Sequence, residues 1–310
     1  MKLFYYRDPL GNFGDDLNPL IWYNLAPEIF NEDDSSVLVG IGTLINTRAP
    51  IEPVKYVFGS GVGYHQFPDI NDKWKFYCVR GPLSAQKLGL DKSYAITDPA
   101  VLLTQVLPDT SVQRTGTVCF MPHHASARHA NWKDLCEKAG IKYLDPANDI
   151  HDTILQMRQS RLVLAEAMHA AIVADALRVP WVPLVCYDHI LDFKWDDWCQ
   201  SLGMSYKPEK IATIWDMERG FSMSTTVKTR IKRGLKDVGI WTDHWTPPVP
   251  RTNRDQVEGE VVASLIRLSN HPTPSLSSDR AHHESIARLM EKVGQVRNDV
   301  ARREGARIAA

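Results

Sequence analysis

The chain has 310 residues, of which 44% are hydrophobic and 24% charged, and its formal net charge is -1. That composition excludes a disordered protein, and the charge balance excludes nucleic-acid binding through a whole-chain basic surface. No apolar run approaches the ~18 residues of a membrane span, and at roughly 150 residues per domain the length suggests about two domains.

The N-terminal run Met1-Lys2-Leu3-Phe4-Tyr5-Tyr6-Arg7 lacks the long apolar stretch and small-residue cleavage site of a signal peptide. Five scattered cysteines without a CxxC pair read as reduced, buried thiols and not as a zinc or redox motif. A cytoplasmic protein is expected.

In the first hundred residues, strand-like runs at 2–6, 37–41, 54–58, 75–79 and 94–96 alternate with helix-like pieces at 82–88 and 99–106. Proline opens both helical pieces at a plausible first position. This alternation predicts a parallel sheet covered by helices. Residues 107–116, with Pro108, Asp109 and Gly116, suit a linker. The alternation then restarts: strands at 117–121, 141–144, 161–165 and 181–185, helices at 131–139, 149–159 and 167–177. The expected architecture is α/β, two Rossmann-like lobes (1–110 and 111–215) facing a cleft, with a helical C-terminal extension (216–310). Ligands in such sheets sit beyond the carboxyl ends of the strands.

Strand ends therefore hold the candidate residues. After the first strand come Gly11, Asn12 and Gly14, then Asp15 and Asp16 at a helix start. Asp or Asn caps helices routinely, but a second acidic residue beside the cap is more than capping needs. Further glycine turns, including Gly61 in Gly59-Ser60-Gly61-Val62-Gly63, point to one glycine-lined cleft. Arg80 ends the fourth strand at the expected cleft mouth, where a salt bridge to Asp98 would also explain it. Asp98, before Pro99, fits a helix cap and a catalytic carboxylate equally well.

In the second half, His123 and His124 follow a strand, with Arg128 and His129 soon after. Adjacent histidines rarely share one ion, so contact with a phosphorylated ligand is favoured over metal, and no metal is expected. The strand from Arg161 runs into Glu166, and His169 stands in the first turn of the next helix. The N–H groups and dipole there favour an anion, and histidine suits proton transfer near neutral pH. The competing reading of His169 is a neutral core side chain.

Beyond 215, residues 225–238 form a basic amphipathic pattern, 242–250 are broken by prolines, and 279–310 read as a highly charged helix, either wrapped onto the N-terminal lobe or a tail. For the basic segment two readings stand: a surface helix packed on the second lobe, or peripheral contact with the anionic inner face of a membrane.

Taken in order, these motifs resemble the polysaccharide pyruvyl transferase family across roughly residues 1 to 190. Gly11-Asn12-Phe13-Gly14-Asp15 resembles the family's Gly-Asn-x-Gly-Asp, Gly59-Ser60-Gly61 its Gly-x-Gly turn, and Val79-Arg80-Gly81-Pro82-Leu83-Ser84 its Val-Arg-Gly/Asp-x-x-Ser stretch. Asp98-Pro99-Ala100 is similar to its Asp-Pro-Ala. Met168-His169-Ala170, leading to Arg178-Val179-Pro180, is similar to its Leu-His-Gly/Ala helix and strand entry. The details look most like the branch that decorates exopolysaccharides such as succinoglycan and xanthan.

The resemblance implies a GT-B-like fold and transfer of pyruvate from phosphoenolpyruvate to two hydroxyls of a sugar, giving a cyclic ketal, with no cofactor. The acceptor it implies is a glycan, in polymer or lipid-linked form. His169 would contact the phosphate and donate the proton; Asp15, Asp16 or Asp98 would be the base. Many members place an arginine two residues before the motif histidine, where this chain has Ala167; Arg161, Arg158, Arg128 or His123 would replace it. The rival readings are a nucleotide-sugar glycosyltransferase on the same fold and a catalytically silent polysaccharide-binding protein.

Overall fold

A computed structural model describes residues 1–63, 65–108, 112–214, 231 and 254–308. Its first sheet is fully parallel, with β1 (Lys2–Phe4), β2 (Ser36–Val39), β3 (Val54–Phe58) and β4 (Trp74–Cys78) lying in chain order. α1 (Phe13–Leu25) crosses from β1 to β2, and α2 (Pro82–Lys87) follows β4. The run 94–96, expected as a strand, contributes only a bridge from Ala95 to Val79. It lies between two 3-10 turns, Lys92–Tyr94 and Pro99–Leu102, which leave no room for a ladder. α3 (Leu103–Val106) completes this half.

The second sheet is also parallel, ordered β6-β5-β7-β8-β9. Its strands are β5 (Val118–Met121), β6 (Lys142–Tyr143), β7 (Leu162–Ala165), β8 (Trp181–Val185) and β9 (Glu209–Lys210). Between them run α4 (Trp132–Lys138), α5 (Ile150–Gln159), α6 (Met168–Ala176) and α7 (Asp192–Ser201). β2 and β7 are buried at every position, as expected for parallel strands covered on both faces. The fold is thus α/β with two parallel sheets. All five cysteines are buried and free.

α1, α6 and the Pro99–Leu102 turn pack against one another, so one apolar core runs from the first sheet into the second. Leu17 and Ile21 of α1 and Ala170, Ala171 and Ala174 of α6 are wholly buried there. The small residues of α6 let the two helices approach closely.

Two helices follow the second sheet. α8 (Arg254–Asn270), within the expected helical extension but not delimited from the sequence, buries Val257, Val261, Leu265 and Leu268 on the second sheet's core. α9 (Asp279–Ile308) returns to the first half. Its 4-3-4 spaced stripe Leu289, Val293, Val296 and Val300 is buried, a narrow apolar face on a charged helix. Tyr77 donates to Asp299 Oδ2 at 2.7 Å, and Arg303 reaches Tyr56 and Ser35. Of the two readings of this segment, the wrapped helix is the one observed. The basic segment 225–238 and the prolines at 242–250 lie outside the described residues, apart from Ile231. No helix among the described residues is long and apolar enough to cross a membrane.

Candidate active site

The carboxyl ends of β1, β2, β5, β7 and β8 open onto one cavity of about 690 Å³. Phe4 ends β1 and Tyr5–Arg7 follow it, Gly42–Leu44 follows β2, His123–Ala125 follows β5, Ala167–His169 follows β7 and His189 follows β8. Both sheets therefore feed their functional ends into the same space, the placement expected of open parallel sheets.

The glycine-rich turn after β1 divides its work by residue. Gly11 has φ +84°, and a Cβ there would come 2.9 Å from Ala147 Cα, so its role is tight packing of the turn. Asn12 caps α1 by accepting from Gly14 N, and its amide also donates to Asp15 Oδ2. Gly14 and Asp15 then face the cavity. Burial pushes the Asp15 carboxyl up to about 7; the His169 ring opposes that shift, neighbouring Asp16 adds to it, and the Lys194 charge opposes it. Asp15 therefore exchanges a proton near neutral pH. Asp16 is half-exposed and does not line the cavity.

His169, in the first turn of α6, lies directly across from the start of α1. Its Nε2 stands 3.6 Å from Asp98 Oδ2. That is just beyond hydrogen-bond range, and both atoms are buried without a partner. The other Asp98 oxygen accepts from Ala100 N at 3.0 Å and caps the Pro99–Leu102 turn. Asp98 is therefore both a cap and a neighbour of His169. It is wholly buried behind the ring and does not line the cavity. The cavity holds the N-terminal turns of α1 and α6, whose helix dipoles favour an anion; the first-turn N–H groups of α1 are themselves bonded to Pro146 O and to Asn12.

His123 and His124 line this cavity with their rings tilted at 41° and centroids 4.2 Å apart, and His189 stands 4.9 Å from His123. Burial lowers the His124 and His189 imidazoles to about 4 and about 3, and His123 falls well below its ordinary value. The three rings are neutral hydrogen-bonding groups at neutral pH, not cations. Ala125 N donates to His123 Nδ1, which leaves the ring proton on Nε2.

The cations in the cavity are others. Arg7, Arg48 and Lys194 line it, and the sequence reading named none of them. Arg7 directly follows the strand expected at 2–6, so strand-end reasoning applied evenly would have found it. Lys194 had a subtler signal: Lys194, Asp197 and Ser201 form one stripe of α7, beside the buried stripe of Trp195, Trp198 and Cys199.

The remaining candidates fill structural positions. Arg80 is wholly buried, with Nε donating to Asp197 Oδ2 at 3.1 Å and Nη2 to Val62 O at 3.1 Å. Its partner is Asp197, not Asp98. Gly61 makes room for it, since a Cβ there would fall 2.2 Å from the guanidinium carbon. Glu166 is buried and accepts from His123 N and Cys186 N, tying the loops after β5 and β8 together. Arg161 precedes β7 and donates to Ser269 O. Five residues before Glu166 along the β7 strand, it sits about 16 Å from the strand end that meets the cavity. Arg128 pairs with Asp8 at 2.9 Å and does not line the cavity. Neither Arg161 nor Arg128 enters the space beside Ala167.

The sequence pattern of the family described as "Polysaccharide pyruvyl transferase" matches residues 3–189. Over 270 residues the chain is 35% identical to the "Succinoglycan biosynthesis protein ExoV" of Rhizobium meliloti (strain 1021), covering 85% of this chain and 81% of that protein. No solved structure matches. The matched span holds the first eight strands together with Gly14, Asp15, Asp98 and His169, and on this evidence the chain is a transferase that belongs to the polysaccharide pyruvyl transferase family.

Proposed function

We propose that the chain transfers pyruvate from phosphoenolpyruvate to two hydroxyls of one sugar in a bacterial exopolysaccharide or its lipid-linked repeat unit. The product is a cyclic ketal, and phosphate is released. The observation that carries this reading is Asp15, a carboxyl with a pKa of about 7, facing the His169 imidazole in a cavity where two helix N-termini meet. Family membership supports the reaction, and the relative's name supports a polysaccharide acceptor.

In this reading the enol carbon C3 takes a proton, and C2 becomes electrophilic. A sugar hydroxyl adds to C2, the bond from C2 to the phosphate oxygen breaks, and the second hydroxyl closes the ketal. One hydroxyl proton replaces the proton given to C3, and the other leaves with phosphate or water. His169 supplies the proton and contacts the phosphate. Asp15 takes a hydroxyl proton, a role suited to a carboxyl poised near the working pH. Asp98 acts through His169 as a positioning residue. The helix N-termini hold the donor's negative charge, while Tyr5 and Tyr6 offer a sugar apolar faces on the side of the first sheet.

The two sheets then act as Rossmann-like lobes of a GT-B-like pair, the first half toward the acceptor and the second toward phosphoenolpyruvate. Phosphoenolpyruvate comes from the cytosol, and a lipid-linked acceptor is met at the inner face of the membrane. The test is incubation with phosphoenolpyruvate and the cognate oligosaccharide. Phosphate release with a mass gain of one ketal-linked pyruvate is expected; release of nucleotide from a sugar nucleotide instead overturns the reading.

A further inference from the structure

α7 is held from two sides. On one face Trp198 packs against Trp181 of β8, with centroids 5.2 Å apart, and Trp195 stacks on Tyr206 at 5.0 Å. On the adjoining face Asp197, wholly buried, is gripped by the first half of the chain. It accepts from Arg80 Nε at 3.1 Å, Ser84 N at 2.9 Å and Ser84 Oγ at 2.5 Å. Arg80 is itself fixed to Thr43 Oγ1 at 3.1 Å and to Val62 O. Gly81 is required for this grip, because a Cβ there would fall 1.9 Å from Asp197 O.

One turn before Asp197, on the same face, stands Lys194. It is 8% exposed, and it lines the cavity. Its stem passes Gly63, where a Cβ would come 3.2 Å from Lys194 Cγ. The glycines at 61, 63 and 81 thus clear space for Arg80, Lys194 and Asp197. The Lys194 charge acts on Asp15, His123, His124 and His189. It is a cation that shares the cavity with the Asp15 carboxyl and the neutral imidazoles.

We infer that Lys194 is a substrate-binding residue that pairs with the phosphate of phosphoenolpyruvate, and that the Asp197–Arg80–Ser84 clamp is the positioning device that delivers it. The inference rests on the donor proposed above. Lys194 is a cation on the wall of the cavity that the donor would enter. A phosphate dianion carries the opposite charge, and its three acceptor oxygens match one ammonium and neighbouring ring N–H donors better than a carboxylate does. Asp197 touches no substrate; it fixes the turn of α7 from which Lys194 reaches the cavity.

The test uses the full chain. Binding of phosphoenolpyruvate is measured by calorimetry for wild type, Lys194→Met and Lys194→Arg. A lost charge-assisted contact weakens binding by about 10- to 100-fold, so that loss is expected for Lys194→Met, with partial recovery in Lys194→Arg. Equal affinity in wild type and Lys194→Met overturns the inference. A second measurement needs no variant: acylation of Lys194 in the wild type, followed by mass spectrometry. Protection by phosphoenolpyruvate and by inorganic phosphate, but not by pyruvate, is expected. Protection by pyruvate alone, or by none of the three, overturns the phosphate assignment even if Lys194→Met does not fold. Wild type that binds a sugar nucleotide and not phosphoenolpyruvate removes the proposed donor instead, which separates the two failures. For the clamp, Asp197→Asn should raise KM for phosphoenolpyruvate more than it lowers kcat. An unchanged KM reduces the clamp to a packing feature.

Discussion

The imidazole of His169 lies over the α-carbon of Gly14: a Cβ built at Gly14 would stand 2.1 Å from Nδ1 and 2.7 Å from Cγ. The second glycine of the N-terminal motif is thus an indirect reading of a histidine 155 positions later, since any side chain would evict the ring from its place beside Asp98.

Gly14→Ala should therefore lower turnover strongly while the chain still folds. A displacement of about 1 Å in a reacting group costs on the order of 10²-fold in rate. Gly259→Ala is the control: nothing lies near that position on α8, and it should gain roughly 0.5–1 kcal/mol in stability without altering rate. Ketal formation and denaturant unfolding of both variants check this. Full activity in Gly14→Ala would mean that the ring position is not critical.

His169→Ala should retain its fold and lose about 10²- to 10⁴-fold in turnover, the range for a general acid–base group. Asp98→Asn keeps the cap to Ala100 N and should lose less. Near-normal turnover in folded His169→Ala would reduce the ring to packing.

Asp15 makes stability depend on pH in a definite direction. Its carboxyl rises from 3.8 to about 7 on folding, so the folded state holds the proton more tightly than the unfolded chain. The stabilisation this contributes is complete below about pH 4 and is lost as pH rises through about 7, by at most about 4 kcal/mol. Asp15→Asn should flatten the fall in unfolding free energy between pH 5 and pH 8 and abolish turnover. An identical pH slope in wild type and variant would refute the assignment.

Arg80 and Asp197 are both wholly buried, so removing one strands the other. Arg80→Met should cost about 3–5 kcal/mol in stability, and the Arg80→Met/Asp197→Leu double variant should recover much of that. Calorimetric melting compares them. A stable Arg80→Met with impaired donor binding would return Arg80 to direct substrate contact.

The alternation of short apolar strands with helices was enough to set the α/β class and to locate β2 to β5 and β7, β8 to within a residue or two, because strands buried on both faces read as unbroken apolar runs. Glycine turns and capping residues marked the strand ends where chemistry gathers, and the order of those motifs identified the family. What each residue does there depended on neighbours remote in sequence. Arg80, Glu166 and Arg161 read as ligand contacts because a charge near a strand end looks free in one dimension; folding gives the first two buried partners and places the third at the wrong end of its strand. Asp15 and Asp16 are adjacent and alike on paper, but only burial beside His169 gives Asp15 a proton to exchange near neutral pH. α7 escaped notice because its apolar residues, Trp195, Trp198 and Cys199, are few, and its stability comes from a grip by residues more than a hundred positions away. Periodicity and turn chemistry act over a few residues and are written locally in the chain, whereas desolvation and ion pairing follow distance in space, which the tertiary structure alone decides.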